Sequence, residues 1–350
     1  MSEYTYVGID DHEKSIAVKR AKGKENPEGR IFPTTEEGRD RFRSWVEDWE
    51  PGNKIIAACE AGPKGPCFAR MLQSWGWQCF VLAPHALDRS PKHRQQKSDL
   101  KDAERALDAL RGHYLAGKKL HACWLPDEEL FDHRELVRGR LDLGEKIGKV
   151  KNQILTLCRR HEIQQPAHMK TAWTKKHIAW LAEYSSRDES ATASQLASLV
   201  RQLCFLQEEE IQIDQLIQEL SGHTRYTQAV RSLTRMRGVG VLSAMVYTLE
   251  IGKADRFKNR RQVGAYFGLV PSQKDSGETE RKGRITRAGQ PRVRKILNQV
   301  AWSIVRYKPL GIYNWYYQVK QRRGSKKAIV ALMRRLAVIM WHRVLEAQAA

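Results

Sequence analysis

Apolar and polar positions divide this chain into three stretches with different periods. In the first, short apolar runs stop at acids or turn residues. Tyr6-Val7-Gly8-Ile9 ends at Asp10, and Ile55-Ile56-Ala57-Ala58-Cys59 ends at Glu60. These runs predict strands, as do Ser15–Arg20 and Gln78–Ala83, the last stopped by Pro84. Helical periods occupy 36–48, 66–75 and Asp99–Leu115, with Ser98 placed to cap the third helix. Two early strands in hairpin order, turning at Asp11-His12-Glu13, precede the alternating helices and strands. That order predicts a mixed α/β sheet over residues 4–116 rather than a purely parallel one.

The period then changes. Leu136, Leu143, Ile147, Val150, Ile154 and Leu157 recur every three to four residues, with Arg140 in the one gap. A second series runs Leu196, Leu199, Leu203, Leu206, Ile213, Ile217 and Leu220, with Glu210 at its missing position. This spacing predicts two long helices, forming a helical hairpin in one chain or a coiled coil between subunits. Residues 162–192, which include Pro166 and Ser185-Ser186, connect them.

The third stretch begins near Tyr226. Arg235-Met236-Arg237-Gly238-Val239-Gly240 leads into an apolar helix, Val241–Leu249. The pattern is that of a helix-hairpin-helix element, whose glycines let backbone N–H groups approach a phosphate at a helix N-terminus. The last helix, Lys326–Leu345, sets Ala328, Ile329, Leu332, Leu336 and Ile339 on one side and Lys327, Arg334 and Arg335 on others. It reads as a packed helix with a solvated basic flank. The expected domains are 1–125, 126–222 and 223–350.

Composition narrows the class. The chain has 350 residues, 41% of them apolar. No run approaches the roughly 18 apolar residues of a membrane span, and no signal peptide precedes Tyr4. Its six cysteines make no Cys-x-x-Cys pair, which predicts core thiols in a reducing cytoplasm and argues against structural zinc. The net charge of +21 is uneven: residues 221–350 hold 27 Lys and Arg against 6 Asp and Glu. The other 220 residues balance, with 34 of each sign. A field so concentrated predicts a polyanionic partner.

The candidate chemistry lies in four acids. Asp10 and Glu60 end strands, and Asp99 and Asp102 share one helix face. Each alone reads as a turn, cap or first-turn acid. Together, carboxylates at two strand ends facing a carboxylate pair on a helix can hold two hard divalent cations. Phosphodiester chemistry uses two such ions, one for the attacking oxygen and one for the leaving oxygen.

Val7-Gly8-Ile9-Asp10-Asp11, Ala58-Cys59-Glu60-Ala61-Gly62 and Lys97-Ser98-Asp99-Leu100-Lys101-Asp102-Ala103 occur in this order. A second block follows: Phe267-Gly268-Leu269-Val270-Pro271-Ser272, Ser276-Gly277, Gly283-Arg284-Ile285-Thr286-Arg287-Ala288-Gly289, Arg294-Lys295-Ile296-Leu297 and Ala301-Trp302. Over nearly its whole length the sequence resembles the DEDD transposases of the insertion sequence 110 family. The resemblance implies a ribonuclease-H-type, Holliday-resolvase-like N-terminal domain, a central helical coiled-coil pair and a mainly α-helical basic C-terminal transposase domain. It makes Asp10, Glu60, Asp99 and Asp102 the catalytic and metal-binding tetrad, taking Mg2+ or Mn2+, and Ser276 the nucleophile. It also implies donor and target double-stranded DNA, an element-encoded guide (bridge) RNA, and a dimer or tetramer with a composite site between subunits. In two places the chain departs from that family: Asp275 precedes Ser276 where a small hydroxyl residue is more usual, and Lys64 replaces a small residue.

The residues themselves fit those roles. Serine attack on a phosphodiester conserves the bond as a phosphoserine ester, so strands can be rejoined without ATP, whereas water would discard it. The serine needs a base or a metal to activate it. Candidate nucleic-acid contacts are Arg237, Gly238, Gly240, Arg281, Lys282, Arg284, Thr286, Arg287, Arg292, Arg294 and Lys295. Tyr307-Lys308, Tyr313, Trp315-Tyr316-Tyr317 and Lys320 read equally as base-stacking groups or as core aromatics beside surface lysines. A Holliday-junction-type endonuclease using water is the alternative. An actin-like ATPase would also begin with Gly8-Ile9-Asp10, but no later Gly-Gly-x-x-Asp motif supports it. A non-catalytic carrier of guide RNA, with the acids structural, is a further reading.

Overall fold

The computed structural model describes residues 4–62, 64, 66–84, 98–276 and 279–350, with backbone alone at 273–276 and 279–282. The chain divides into two compact units, Met1–Asp127 and Glu128–Ala350.

The first unit is built on a five-stranded mixed sheet. Its strands are β1 (Thr5–Asp11), β2 (Ser15–Lys22), β3 (Glu28–Pro33), β4 (Ile55–Glu60) and β5 (Gln78–Leu82). Their order is β3-β2-β1-β4-β5, antiparallel through the first three and parallel from β1 to β4 to β5. Strand β3 has no clear sequence signal because it is an edge strand in which only Phe32 is buried. Helices α1 (Glu36–Glu47) and α2 (Cys67–Ser74) cover one face, where Val7, Ile9, Ala57 and Cys59 meet Phe42, Val46, Phe68 and Leu72. Helix α3 (Asp99–Ala116) covers the other, where Tyr6, Ile56 and Ala58 meet Ala106, Leu107 and Leu110.

Gly8 sets the depth of that second contact. A Cβ at Gly8 would lie 2.0 Å from the Ala103 carbonyl oxygen and 2.4 Å from the Leu107 nitrogen. Only a residue without a side chain lets α3 lie directly on β1, the central strand.

The second unit is mostly helical. Helices α4 (Glu128–Arg160), α5 (Lys175–Ser185) and α6 (Ala191–Ser221) bury the two apolar series against each other in one chain, Leu143, Ile147, Val150 and Ile154 meeting Leu196, Leu199 and Leu203. Then come α7 (Thr227–Thr234), α8 (Val241–Ile251), α9 (Arg260–Tyr266), α10 (Pro291–Tyr307), α11 (Ile312–Arg323) and α12 (Ser325–Ala349). Helix α8 is the buried centre. Its Tyr247 hydroxyl donates to the Ala337 carbonyl of α12, and Arg134 of α4 donates to the carbonyls of Leu249 and Glu250. The antiparallel hairpin β6 (Pro271–Ser276) and β7 (Thr279–Ile285) interrupts this helical unit. Among the described residues, no helix is long and apolar enough to cross a membrane.

Candidate active site

Three elements of the first unit converge on the acids. The parallel register of β1 and β4 pairs Gly8 with Ala58 and Ile9 with Cys59, so Asp10 and Glu60 follow side by side at the strand ends. Side chains alternate along a strand, so these two acids share the face of Gly8 and Ala58, which is the face α3 covers. The first turn of α3 carries Asp99 and Asp102, where the helix dipole favours carboxylates. The Ser98 hydroxyl caps that turn by accepting from the Lys101 N–H.

The Asp10 side chain is largely enclosed, 13% of it exposed. Burial pushes its carboxyl above the ordinary aspartate value; the His12 ring opposes that, and Asp102 and Asp99 add to it. The charges of Asp102 and Asp99 therefore disfavour a further negative charge at Asp10. Asp102 is restrained by an ion pair with Arg105 on the next turn.

The structure adds a residue that the acid pattern did not single out. His12, in the β1–β2 turn, places Nε2 at 2.9 Å from Asp10 Oδ2 and 3.4 Å from Asp99 Oδ1. One ligand atom from each of Asp10, His12 and Asp99 lies within 4.8 Å of the others. His12 was legible only as a turn residue, and its position two residues beyond Asp10 was the one available hint. Lys64 braces the same turn, with Nζ donating to Asp11 Oδ1 at 2.6 Å and to the His12 carbonyl at 2.5 Å.

The donor set suits a divalent cation. Burial and the charges of Asp102 and Asp99 make the Asp10 carboxylate unfavourable, and a bound cation would offset both. Among the described residues, Asp10, His12 and Asp99 bring ligand atoms close enough to share one ion, while Glu60 ends the neighbouring strand and Asp102 follows Asp99 by three residues on α3.

In the second unit, Ser276 is the last residue of β6 and pairs with Thr279 across the hairpin turn. Gly277 lies outside the described residues, and Arg281 and Lys282 stand on β7. Arg284, Thr286 and Arg287 are exposed. Arg287 adopts φ 55°, a left-handed conformation that costs a residue with a Cβ about 1–2 kcal/mol. Gly238 has φ 86°, and Gly240 is the N-cap residue of α8, so the Arg237–Gly240 turn joins α7 to α8 as a hairpin between helices. The Arg237 guanidinium lies 5.3 Å from the ring centre of Tyr307.

Three bases of α10, Arg292, Arg294 and Lys295, are engaged within the protein. Arg292 Nη2 donates to both carboxylate oxygens of Asp142, at 2.9 and 3.0 Å, and Lys295 Nζ lies 3.1 Å from Glu145 Oε1. Arg294 turns inward, and its Nη1 donates to the carbonyls of Phe267, Ala288 and Gly289 at 3.1, 3.4 and 3.0 Å.

Comparison with known proteins extends over both units. Residues 7–161 match the DEDD transposase model of the insertion sequence 110 group, and residues 230–316 match the model described as transposase IS116/IS110/IS902 family. The y4qE protein of Sinorhizobium fredii, named as a transposase, is 31% identical across 96% of this chain and 87% of its own length. The transposase for insertion sequence element IS1533 of Leptospira borgpetersenii is 27% identical across 87% of this chain and 86% of its own. The transposase for element IS1111A of Coxiella burnetii is 23% identical across 89% and 83%. With acids gathered at the strand ends and relatives that span almost its full length, this chain belongs to the DEDD transposases of the IS110 family.

Proposed function

We propose that this transposase is an RNA-guided DNA recombinase that exchanges strands through a covalent phosphoserine–DNA intermediate. One observation carries the proposal: Gly8 lets α3 lie on β1, so that Asp99 and Asp102 reach the strand ends holding Asp10 and Glu60. The strand order, antiparallel and then parallel with a helix on each face, supports a ribonuclease-H-type domain.

In this reading, Asp10, Glu60, Asp99 and Asp102 would hold divalent cations, which would supply positive charge for the attacking and leaving oxygens. Ser276 Oγ attacks phosphorus: an Oγ–P bond forms, one deoxyribose hydroxyl leaves with a proton, and the serine proton passes to solvent or a base. The hydroxyl of the exchanged strand then attacks the phosphoserine, restoring the phosphodiester and the free serine. Arg281, Lys282, Arg284 and Arg287 flank the hairpin and supply donors for the phosphate oxygens. The family resemblance implies that acids and serine meet in a composite site of a dimer or tetramer.

Nucleic-acid binding falls to the second unit. Between residues 281 and 345 the sequence has 17 Lys and Arg and no acid. Trp302, Tyr307 and Tyr317 are exposed there, beside Lys308 and Lys320, and provide ring faces for unpaired guide-RNA bases. The Arg237–Gly240 hairpin offers backbone N–H groups and Arg237 to a duplex phosphate.

Ser276→Ala and Asp102→Ala test the scheme. Both variants should lose strand exchange, and Ser276→Ala should form no covalent protein–DNA adduct. Continued cutting by Ser276→Ala would instead favour a junction endonuclease that uses water. Recombination by a preparation whose A260/A280 ratio is that of pure protein would refute guidance by RNA.

A further inference from the structure

The acid tetrad does not account for His12. We propose that His12 contributes Nε2 as a ligand to the cation site, so that the site takes a divalent transition ion such as Mn2+, with one nitrogen in its shell, in preference to Mg2+. This rests on the reading of the four acids as a cation site and adds to it a residue and a metal preference.

Three observations carry the inference. First, Nε2 faces two of the acids at once, 2.9 Å from Asp10 Oδ2 and 3.4 Å from Asp99 Oδ1, where one ligand atom from each residue can meet a single ion. Second, Nε2 and Asp10 Oδ2 are both shut off from solvent and lie 2.9 Å apart, so the ring nitrogen is held where an ion on Asp10 would meet it. Third, the turn presenting the ring is held at both ends. The His12 N–H donates to the Ser15 carbonyl at 2.9 Å, and Lys64 Nζ grips the His12 carbonyl and the Asp11 carboxylate. A ligand carried by a braced turn needs little ordering when an ion arrives.

The metal preference follows from the ligand chemistry. Carboxylates alone suit Mg2+, a hard ion that keeps its water. A neutral imidazole nitrogen is a softer donor, and it favours first-row transition ions over Mg2+ in a mixed nitrogen–oxygen site. The rival role for His12 is a plain counter-charge to Asp10, in which case an arriving cation would displace the ring.

The test uses full-length protein freed of nucleic acid in high salt. Mn2+ is titrated in and read by continuous-wave and pulsed electron paramagnetic resonance. We expect 14N modulation from a directly bound imidazole in the wild type, a measurement that needs no variant. His12→Gln should abolish that modulation and lower about tenfold the Mg2+ concentration that displaces half the Mn2+. Its metal-free melting temperature should match wild type. Lys64→Ala should keep the modulation but weaken Mn2+ binding. Mn2+ held at the site without 14N modulation, or an unchanged Mn2+/Mg2+ preference in His12→Gln, would overturn the inference while leaving the acidic site standing. Equal Mn2+ binding by wild type and Asp102→Asn would overturn the acidic site itself.

Discussion

Arg140 and Glu210 each interrupt an otherwise apolar helical series, and they do so opposite each other, with Arg140 Nη1 2.9 Å from Glu210 Oε1. Asp214, one turn further along α6, accepts from Arg140 Nε and Nη2 at 2.7 and 3.0 Å. The polar gaps thus fix the register of α4 on α6. The Arg140 side chain is only 13% exposed, so losing its partners strands a charge, and replacing it leaves two acids facing each other. Arg140→Leu should lower stability by about 1–3 kcal/mol. Adding Glu210→Leu should recover part of that. A double-mutant cycle in urea checks it; strictly additive effects would show that the two residues are uncoupled.

Asp10 predicts a gain in the metal-free protein. Burial and the nearby Asp102 and Asp99 make its ionised form unfavourable. Asp10→Asn keeps the shape and removes the charge. Without divalent ions the variant should melt at or above the wild-type temperature. Wild type should gain stability with added Mn2+ or Mg2+, because a ligand that binds only the folded state shifts the equilibrium toward it, and Asp10→Asn should not. A variant that melts lower and still responds to metal would contradict this account of the site.

Gly8 links core packing to chemistry. Alanine there would put a Cβ against the Ala103 carbonyl, and α3 would have to shift. The expected cost is about 1–3 kcal/mol. Because Asp99 and Asp102 ride on that helix, Gly8→Ala should also lose the stabilisation by divalent ions. Gly148→Ala on α4 is the control: nothing lies within 4 Å of its Cβ position, and it should stabilise by about 0.5–1 kcal/mol. Thermal denaturation with and without Mn2+ reads both. A Gly8→Ala variant with an unchanged metal response would separate the packing from the site.

These sites differ in how far the sequence disclosed them. Runs ending at Asp10 and Glu60 and the spacing of Asp99 and Asp102 were legible because strand and helix periods are local. Ser98 was legible as a cap for the same reason. Strand β3 was hidden because one exposed edge gives Glu28, Arg30 and Ile31 no alternation. The β6–β7 hairpin was hidden because its sequence is polar on both faces. His12 was missed because its meeting with Asp99 depends on the β1–β2 turn folding back over α3's first turn. The partners of Arg292 and Lys295 lie 150 residues away on α4, at a distance no local pattern reports.

His177 predicts how stability depends on pH. Its ring is buried between Trp173 and Trp180, at centroid distances of 5.5 and 5.6 Å, and its Nδ1 accepts from the Trp173 N–H. Burial lowers its pKa below the ordinary histidine value. The unfolded chain therefore binds this proton more readily than the folded one, so stability falls as pH drops below about 6.5. Chemical denaturation at pH 7.5 and pH 5 should show a loss in wild type that is smaller in His177→Gln. Equal losses in both would assign the acid sensitivity to other groups.

Arg294 and Arg287 have opposite uses although they lie seven residues apart. The backbone at Gly268 and Gly289 is packed so closely that a Cβ on either would strike a carbonyl oxygen at about 2 Å, and Arg294 spans the carbonyls of Phe267, Ala288 and Gly289 beside it. The hairpin stems meet here: the Thr286 N–H donates to the Val270 carbonyl and the Arg287 N–H to the Gly268 carbonyl. Arg294 therefore positions the base of the Ser276 hairpin, while exposed Arg287 is free to meet phosphate. Lysine keeps the charge of Arg294 but cannot reproduce the guanidinium's planar array of donors. Arg294→Lys should lose about tenfold or more in covalent adduct formation, with DNA affinity and its salt dependence nearly unchanged. Arg287→Ala should weaken DNA binding and reduce the slope of log affinity against log salt by about one. If Arg294→Lys flattened that slope as Arg287→Ala does, Arg294 would be a phosphate contact rather than the tie that holds the hairpin.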